Sequence, residues 1–256
     1  MIHCVIENNI AYVTIDRKEI LNVFNFEMLC DLEKVADNLH ELDEARVVIF
    51  TGAGEKAFSC GADLKERLLL TEEEVRRNVM KISSVFEKIA NLPQATISAV
   101  NGLAFGGGFE LMLATDFRIA VDDTIMGLTE AMWGIIPGGG GTQRLPRLIG
   151  ETKAKELIFT ARKLNSIEAL EYGVVNKIVP REDLMTECVR FAGEILRNAP
   201  LSIKQAKYAI NEGVNLELKE GLLLETKAYE KIIPTRDRIE ALEAFKEKRL
   251  PQFIGR

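Results

Sequence analysis

Two glutamates stand where carboxylates look out of place. Glu110 follows three glycines in AFGGGFELMLATD, residues 104–116, with Phe109 before it and Leu-Met-Leu-Ala after it. Glu130 lies in MGLTEAMWGIIPGGGGTQR, residues 126–144, again among apolar neighbours. A buried, unpaired carboxylate is costly unless it is hydrogen-bonded or its pKa moves. Two carboxylates in one apolar pocket can be driven to opposite proton states, one acting as acid and the other as base. Ala131, Met132 and Trp133 would give Glu130 a dry wall. The other reading of each residue is a glutamate facing water, and spacing alone does not choose between them.

Two glycine turns share one design. In FSCGADLKER, residues 58–67, a β-like run meets glycine and a helix is expected to start at Ala62-Asp63. In LAFGGGFELML, residues 103–113, a second helix is expected to start near Gly107. Helix starts expose backbone N–H groups and favour negative charge. Two of them converging on one point would make an oxyanion hole; apart, they are ordinary turns. Other motifs carry less. VVIFTGAGEKA offers G-x-G-x-x-A, but no long helix follows and no acid-ended strand comes ~20 residues on, so a dinucleotide site is not expected. PGGGGTQR lacks the Gly-Lys-Ser/Thr ending of a phosphate loop. Cys60 has no histidine nearby in sequence and reads as a small packed residue.

The elements that must position these residues alternate. CVIENNIAYVTID holds two β-rich runs about Asn8-Asn9, a hairpin turn pair. Met28, Leu29, Leu32, Val35, Ala36, Leu39 and Leu42 recur at helical spacing. RVVIFTG and ATISAVNG read as buried strands. Thr71 and Glu74 form a capping box ahead of a helix with Val75, Val79, Ile82, Phe86 and Ile89 on its apolar face. From about Pro180 the pattern is helical. This is an α/β architecture with largely parallel pairing and a helical C-terminal region. No internal repeat is visible.

Composition sets the outer limits. The chain has 256 residues, 47% of them hydrophobic, and a net charge of −6. Nucleic acid is a poor default partner at that charge. Cys4, Cys30, Cys60 and Cys188 are scattered and there are two histidines, which argues against a zinc site or disulfide framework. No apolar run approaches the ~20 residues that span a bilayer. MIHCVIENNI lacks the pattern of a signal peptide, so a cytoplasmic location is expected.

AFSCGADLKER, NGLAFGGGFEL, MGLTEAMWGIIPGGGGTQRLPRLIG, AKELIFTAR and EALEYGVVNKIV occur in order through nearly the whole chain. Together they resemble the enoyl-CoA hydratase/isomerase (crotonase) family. The tail IIPTRDRIEALEAFKEKRLPQFIG is similar to the branch containing methylglutaconyl-CoA hydratase, some of which binds AU-rich RNA. The resemblance implies a crotonase-like spiral of ββα units over 1–195, with the active site. It also implies a helical region over 196–256 for coenzyme A contact and oligomerisation, in a homotrimer or dimer of trimers. It implies that Ala62 and Gly107 N–H groups hold the thioester oxygen.

The family's hydratases usually keep both glutamates, whereas many isomerases keep one. The resemblance therefore implies hydration of a 2-enoyl-CoA to a 3-hydroxyacyl-CoA, as in fatty acid metabolism. Glu110 would act as base on the water attacking C3, and Glu130 would protonate C2. Gly138 would help place water and thioester. Coenzyme A would meet backbone at Ala62, Asp63 and Leu64, with Lys65, Phe245 and Lys248. No metal and no cofactor beyond the substrate's own coenzyme A is implied. An isomerase, or a methylglutaconyl-CoA hydratase, is the alternative.

Three departures stand out. Residues 16–22, DRKEILN, lack the family's proline. Phe109 replaces a smaller residue. LLLTEEEVRRNVMK, residues 68–81, begins with three leucines and sets Glu72, Glu73 and Glu74 where the RNA-binding relative is lysine-rich, which removes much of the phosphate-binding charge, so RNA binding is not expected. Leu68, Leu69 and Leu70 are expected as acyl-pocket wall or subunit contact.

Overall fold

The computed structural model describes residues 1–256. Strands β1 (Ile2–Glu7) and β2 (Ile10–Ile15) pair antiparallel, with Glu7 opposite Ile10. Asn8 and Asn9 both take positive φ, 51° and 64°, the conformation a two-residue hairpin turn demands and asparagine tolerates. Helix α1 (Phe26–Glu41) then crosses to β3 (Val47–Gly52), which lies parallel to β2. Its Asn25 cap accepts from Met28 N, and Met28, Leu29, Leu32, Ala36 and Leu39 are buried.

From β3 onward the chain repeats one excursion. A strand in the first sheet is followed by a short strand in a second sheet and then by helix. β3 leads to β4 (Ala57–Ser59), α2 (Leu64–Arg67) and α3 (Glu72–Ala90). β5 (Ala95–Val100) leads to β6 (Leu103–Phe105) and α4 (Gly107–Ala114). β7 (Phe117–Val121) leads to β8 (Ile125–Gly127), a 3-10 turn (Glu130–Trp133), α5 (Gly141–Ile149) and α6 (Glu151–Thr160). β9 (Leu164–Asn165), α7 (Ser166–Glu171) and β10 (Lys177–Val179) complete the sheets. The first sheet has the order β1-β2-β3-β5-β7-β10 and the second β4-β6-β8-β9. This is the spiral of ββα units, α/β in class, and the repeat lies in geometry rather than in sequence.

Every residue of β5 is buried, as in a strand covered on both faces, and the hydroxyls of Thr96 and Ser98 are satisfied by Asp116 at 3.0 Å and Thr115 at 2.9 Å. α4 is also buried on all sides. Its sequence has no polar face, so it can only be a central helix. The capping box at Thr71 and Glu74 is present, and Val85, Phe86 and Ile89 of α3 are buried.

The chain divides into two compact units, Met1–Leu92 with Thr96–Val189, and Pro93–Ala95 with Arg190–Arg256. α8 (Leu184–Leu196) leads out of the first, and α9 (Pro200–Gly213), α10 (Leu218–Glu230) and α11 (Arg236–Glu247) belong to the second. There the buried Asp237 accepts from Ile254 N at 2.8 Å and Gly255 N at 2.9 Å, tying the chain end to the first turn of α11. No helix is long and apolar enough to cross a membrane.

Candidate active site

A cavity of about 540 Å³ opens in the first unit, and Ala62, Gly107, Glu110, Glu130 and Gly138 all line it. α4 supplies two of them one turn apart, because its N-terminus starts at the glycines. Glu110 is only 2% exposed. Its Oε1 accepts hydrogen bonds from Gly139 N at 2.7 Å and Gly141 N at 2.8 Å. The loop that donates them must be glycine. A Cβ on Gly139 would stand 2.8 Å from the Phe86 ring and 2.9 Å from Glu110 Oε2; one on Gly141 would stand 3.0 Å from Glu110 Oε1.

Arg144 fixes that loop. Its Nη1 donates to the Gly139 carbonyl at 2.9 Å, and its Nη2 pairs with Glu87 of α3 at 2.8 Å. Burial pushes the Glu110 carboxyl up, while the backbone N–H groups and the Arg144 charge pull it down. At the other end of α4, the buried Arg118 donates to the carbonyls of Thr115 (2.7 Å), Met112 (3.4 Å) and Val174 (2.7 Å), capping the helix from below.

Glu130 opens the 3-10 turn and is also buried. Its Oε2 is enclosed and has no hydrogen-bond partner. Burial, followed by the charge of Glu110, pushes its carboxyl up to about 7. An oxygen without a donor favours the neutral acid, while two N–H donors favour the carboxylate. Burial raises both carboxyls, and the pair differs in its partners: Glu110 has two backbone N–H donors, and one oxygen of Glu130 has none. The dry wall expected beside Glu130 is not there: Ala131, Met132 and Trp133 are all exposed, and of the three only Trp133 lines the cavity. A 3-10 turn brings only one of three consecutive side chains to that side.

The two glycine turns do meet. Gly61 has φ +83°, and a Cβ on it would stand 2.9 Å from Gly107 N. The Ala62 and Gly107 N–H groups are without an intrachain partner. One detail of the expectation fails. α2 begins at Leu64, not at Ala62-Asp63, because Asp63 is the cap and accepts from Lys65 N at 3.0 Å and Glu66 N at 3.3 Å. Ala62 instead bridges to Phe24, which accepts from Asp63 N at 2.8 Å and donates to the Gly61 carbonyl at 2.7 Å. Sheet-like pairing, rather than a helix end, aims the Ala62 N–H. Asp63 also pairs with Arg17 at 3.1 Å, inside the loop that lacks proline.

Other singled-out residues are distributed unevenly. Leu64 and Leu70 line the cavity, whereas Lys65, Leu68 and Leu69 face outward. Phe109 is fully buried in the core and does not line the cavity. Phe245, on α11, and Lys248, its C-cap, belong to the second unit and are exposed. Cys60 lines the cavity, with its thiol pushed up to about 11 by burial, which keeps it protonated and a poor nucleophile. No group of three or more His, Cys, Asp and Glu comes together as a metal site. Sequence reading missed Arg144, Arg118 and Arg17. Arg144 alone left a signal, as the basic end of GGGGTQR.

This fold agrees with the comparisons. Residues 5–256 match the family described as enoyl-CoA hydratase/isomerase. The chain belongs to the enoyl-CoA hydratase/isomerase family. The crystal structure of enoyl-CoA hydratase from Bacillus anthracis superposes with a TM-score of 0.97 at 46% identity, covering 100% of this chain and 99% of that one. Human mitochondrial methylglutaconyl-CoA hydratase is 42% identical, over 96% of this chain and 74% of its own length. Human enoyl-CoA hydratase domain-containing protein 2 is 39% identical, over 98% and 87%.

Proposed function

We propose that this chain is a hydratase that adds water across the double bond of a 2-enoyl-CoA, giving a 3-hydroxyacyl-CoA. The observation that carries the reading is the unequal hydrogen bonding of the two buried carboxyls. Glu110 is held as an acceptor by two backbone N–H groups, and Glu130 has a buried oxygen with no donor. In this reading Glu110 takes a proton from the water attacking C3, and Glu130 gives one to C2. The pair titrates as a unit, so these are roles within one coupled system. The free N–H groups of Ala62 and Gly107 take the charge that develops on the thioester oxygen. Gly138, on the cavity wall, adds a donor to the water. Backbone at Asp63 and Leu64, with Lys65, Phe245 and Lys248, belongs to the coenzyme A half of the reading, and a homotrimer or dimer of trimers to its assembly.

The test is direct. Purified protein is incubated with crotonyl-CoA, and the loss of the conjugated enoyl-thioester absorbance is followed. Turnover that disappears in both Glu110→Gln and Glu130→Gln supports hydration. An absence of turnover on every enoyl-CoA tried rejects it.

A further inference from the structure

Four consecutive backbone N–H groups run through the first glycine turn, and three of them are committed. Cys60 N donates to the Leu21 carbonyl at 3.0 Å, and Asp63 N to the Phe24 carbonyl at 2.8 Å. Gly61 N, buried between them, donates to the Ser59 hydroxyl at 3.2 Å. The Ala62 N–H is left for a ligand. Backbone pairing therefore holds the turn at each end, and a single side chain holds its middle. Ser59 ends β4 and is fully buried. It pairs with Ala104 of β6, and its carbonyl oxygen lies so close to α4 that a Cβ on Gly108 would overlap it. One residue thus touches both glycine turns, by its hydroxyl at Gly61 and by its backbone at Gly108.

A hydroxyl in a fully buried position costs free energy unless it is hydrogen-bonded, so it must serve a partner. Here the partner is the one N–H of the turn that no carbonyl accepts. Gly61 has φ +83°, a region where glycine has conformational freedom. With its acceptor removed, the Gly61 N–H would be an unsatisfied buried donor, and its peptide would rotate toward another acceptor. The next peptide carries the Ala62 N–H and would turn with it. We propose that Ser59 is the positioning residue of the oxyanion hole, its hydroxyl fixing the Gly61 peptide so that the Ala62 and Gly107 N–H groups converge on one oxygen. That this oxygen belongs to an enoyl thioester rests on the hydratase reading; the hold of Ser59 on the turn does not.

The test compares wild-type protein with Ser59→Ala and Ser59→Thr, using thermal unfolding to verify each fold. Acetoacetyl-CoA is the probe. It offers no enoyl double bond to hydrate, and its enolate, which absorbs at longer wavelength than the ketone, is favoured by donors aimed at the thioester oxygen. Ser59→Ala is expected to lower the enolate absorbance of the bound probe. It is also expected to cut kcat on crotonyl-CoA by about ten- to a hundredfold, the scale of a misplaced group. KM should stay unchanged, because the lost interaction belongs to the transition state. Ser59→Thr keeps the oxygen and should recover most of both. An unaltered enolate signal in Ser59→Ala overturns the proposal whatever happens to the rate, and so does a Ser59→Thr variant no better than Ser59→Ala. A wild type that gives no enolate signal has no oxyanion hole for Ser59 to set, and overturns it as well. A wild type that stabilises the enolate yet hydrates no enoyl-CoA rejects the hydratase reading, while the loss of that signal in Ser59→Ala still supports the role of Ser59.

Discussion

Glu110 Oε1 lies 2.8 Å from the backbone nitrogen of Gly141, which donates to it across 31 residues of sequence. Gly139 N reaches the same oxygen at 2.7 Å. One carboxylate oxygen is thereby fixed, and the glycine loop that fixes it also brings Gly138 to the cavity wall. The consequences of this arrangement can be measured.

Replacing Gly139 by alanine puts a Cβ 2.8 Å from Phe86 and 2.9 Å from Glu110 Oε2. The carboxylate must move. We expect hydration to fall by ~10² or more, the loss typical of a displaced general base. Steady-state kinetics on crotonyl-CoA, with circular dichroism to verify folding, checks this; full activity in Gly139→Ala would contradict the role of the loop.

Gly61→Ala addresses the other half of the site. The new Cβ would press on Gly107 N and the Phe105 carbonyl, each at 2.9 Å, in a backbone conformation with φ +83° that alanine resists. The two N–H donors would be pushed apart. Loss of one oxyanion donor costs ~10²–10³ in kcat, and a loss of that size, carried in kcat rather than KM, is expected here.

The pH profile should carry the mark of Glu130. Its carboxyl is pushed up to about 7 in the free protein, and the acid must hold its proton to act. kcat/KM is therefore expected to decline as pH rises through about 7. The corresponding limb of kcat should lie higher, because bound substrate excludes more water from Glu130. A flat kcat/KM profile from pH 6 to 9 would be inconsistent with Glu130 as the acid.

The same shift is linked to folding. A Glu130 pKa raised from 4.5 to about 7 favours the protonated folded state. Its contribution is complete below pH 4.5 and is lost as pH rises through about 7. At pH 8 the ionised, buried side chain costs roughly 3 kcal/mol. Glu130→Gln should then unfold at higher urea than the wild type at pH 8, and that gain should shrink toward pH 4.5.

Arg144 separates position from charge. Arg144→Gln removes a cation that holds Glu110 down and the bond to the Gly139 carbonyl. The acidic limb of kcat/KM should move to higher pH as Glu110 protonates more readily. Arg144→Lys keeps the charge but not the two-sided reach to Gly139 and Glu87, and should recover the limb more fully than the rate. An unmoved limb in Arg144→Gln would leave Arg144 with a structural role only.

Local rules in the sequence determined the local structure. Asn8-Asn9 specified the hairpin, and Thr71 and Glu74 the start of α3. The single turn between Gly107 and Glu110 placed a free N–H and a carboxylate on one side of a buried helix. Each of these depends on residues within a few positions of one another, and that range is what propensity and periodicity report.

What joins distant segments came only from the tertiary structure. The Ala62 N–H takes its direction from a bridge to Phe24, 38 residues earlier. Gly61 faces Gly107 because β4 and β6 are neighbours in the second sheet. Leu70 lines the cavity while Leu68 and Leu69 turn outward, since three adjacent residues in a bend cannot share a direction. The proton states of Glu110 and Glu130 depend on Gly139, Gly141 and Arg144, all remote from Glu110 in sequence. A pKa follows from burial and from the partners that packing brings close, and those are properties of the folded arrangement rather than of any short stretch of chain.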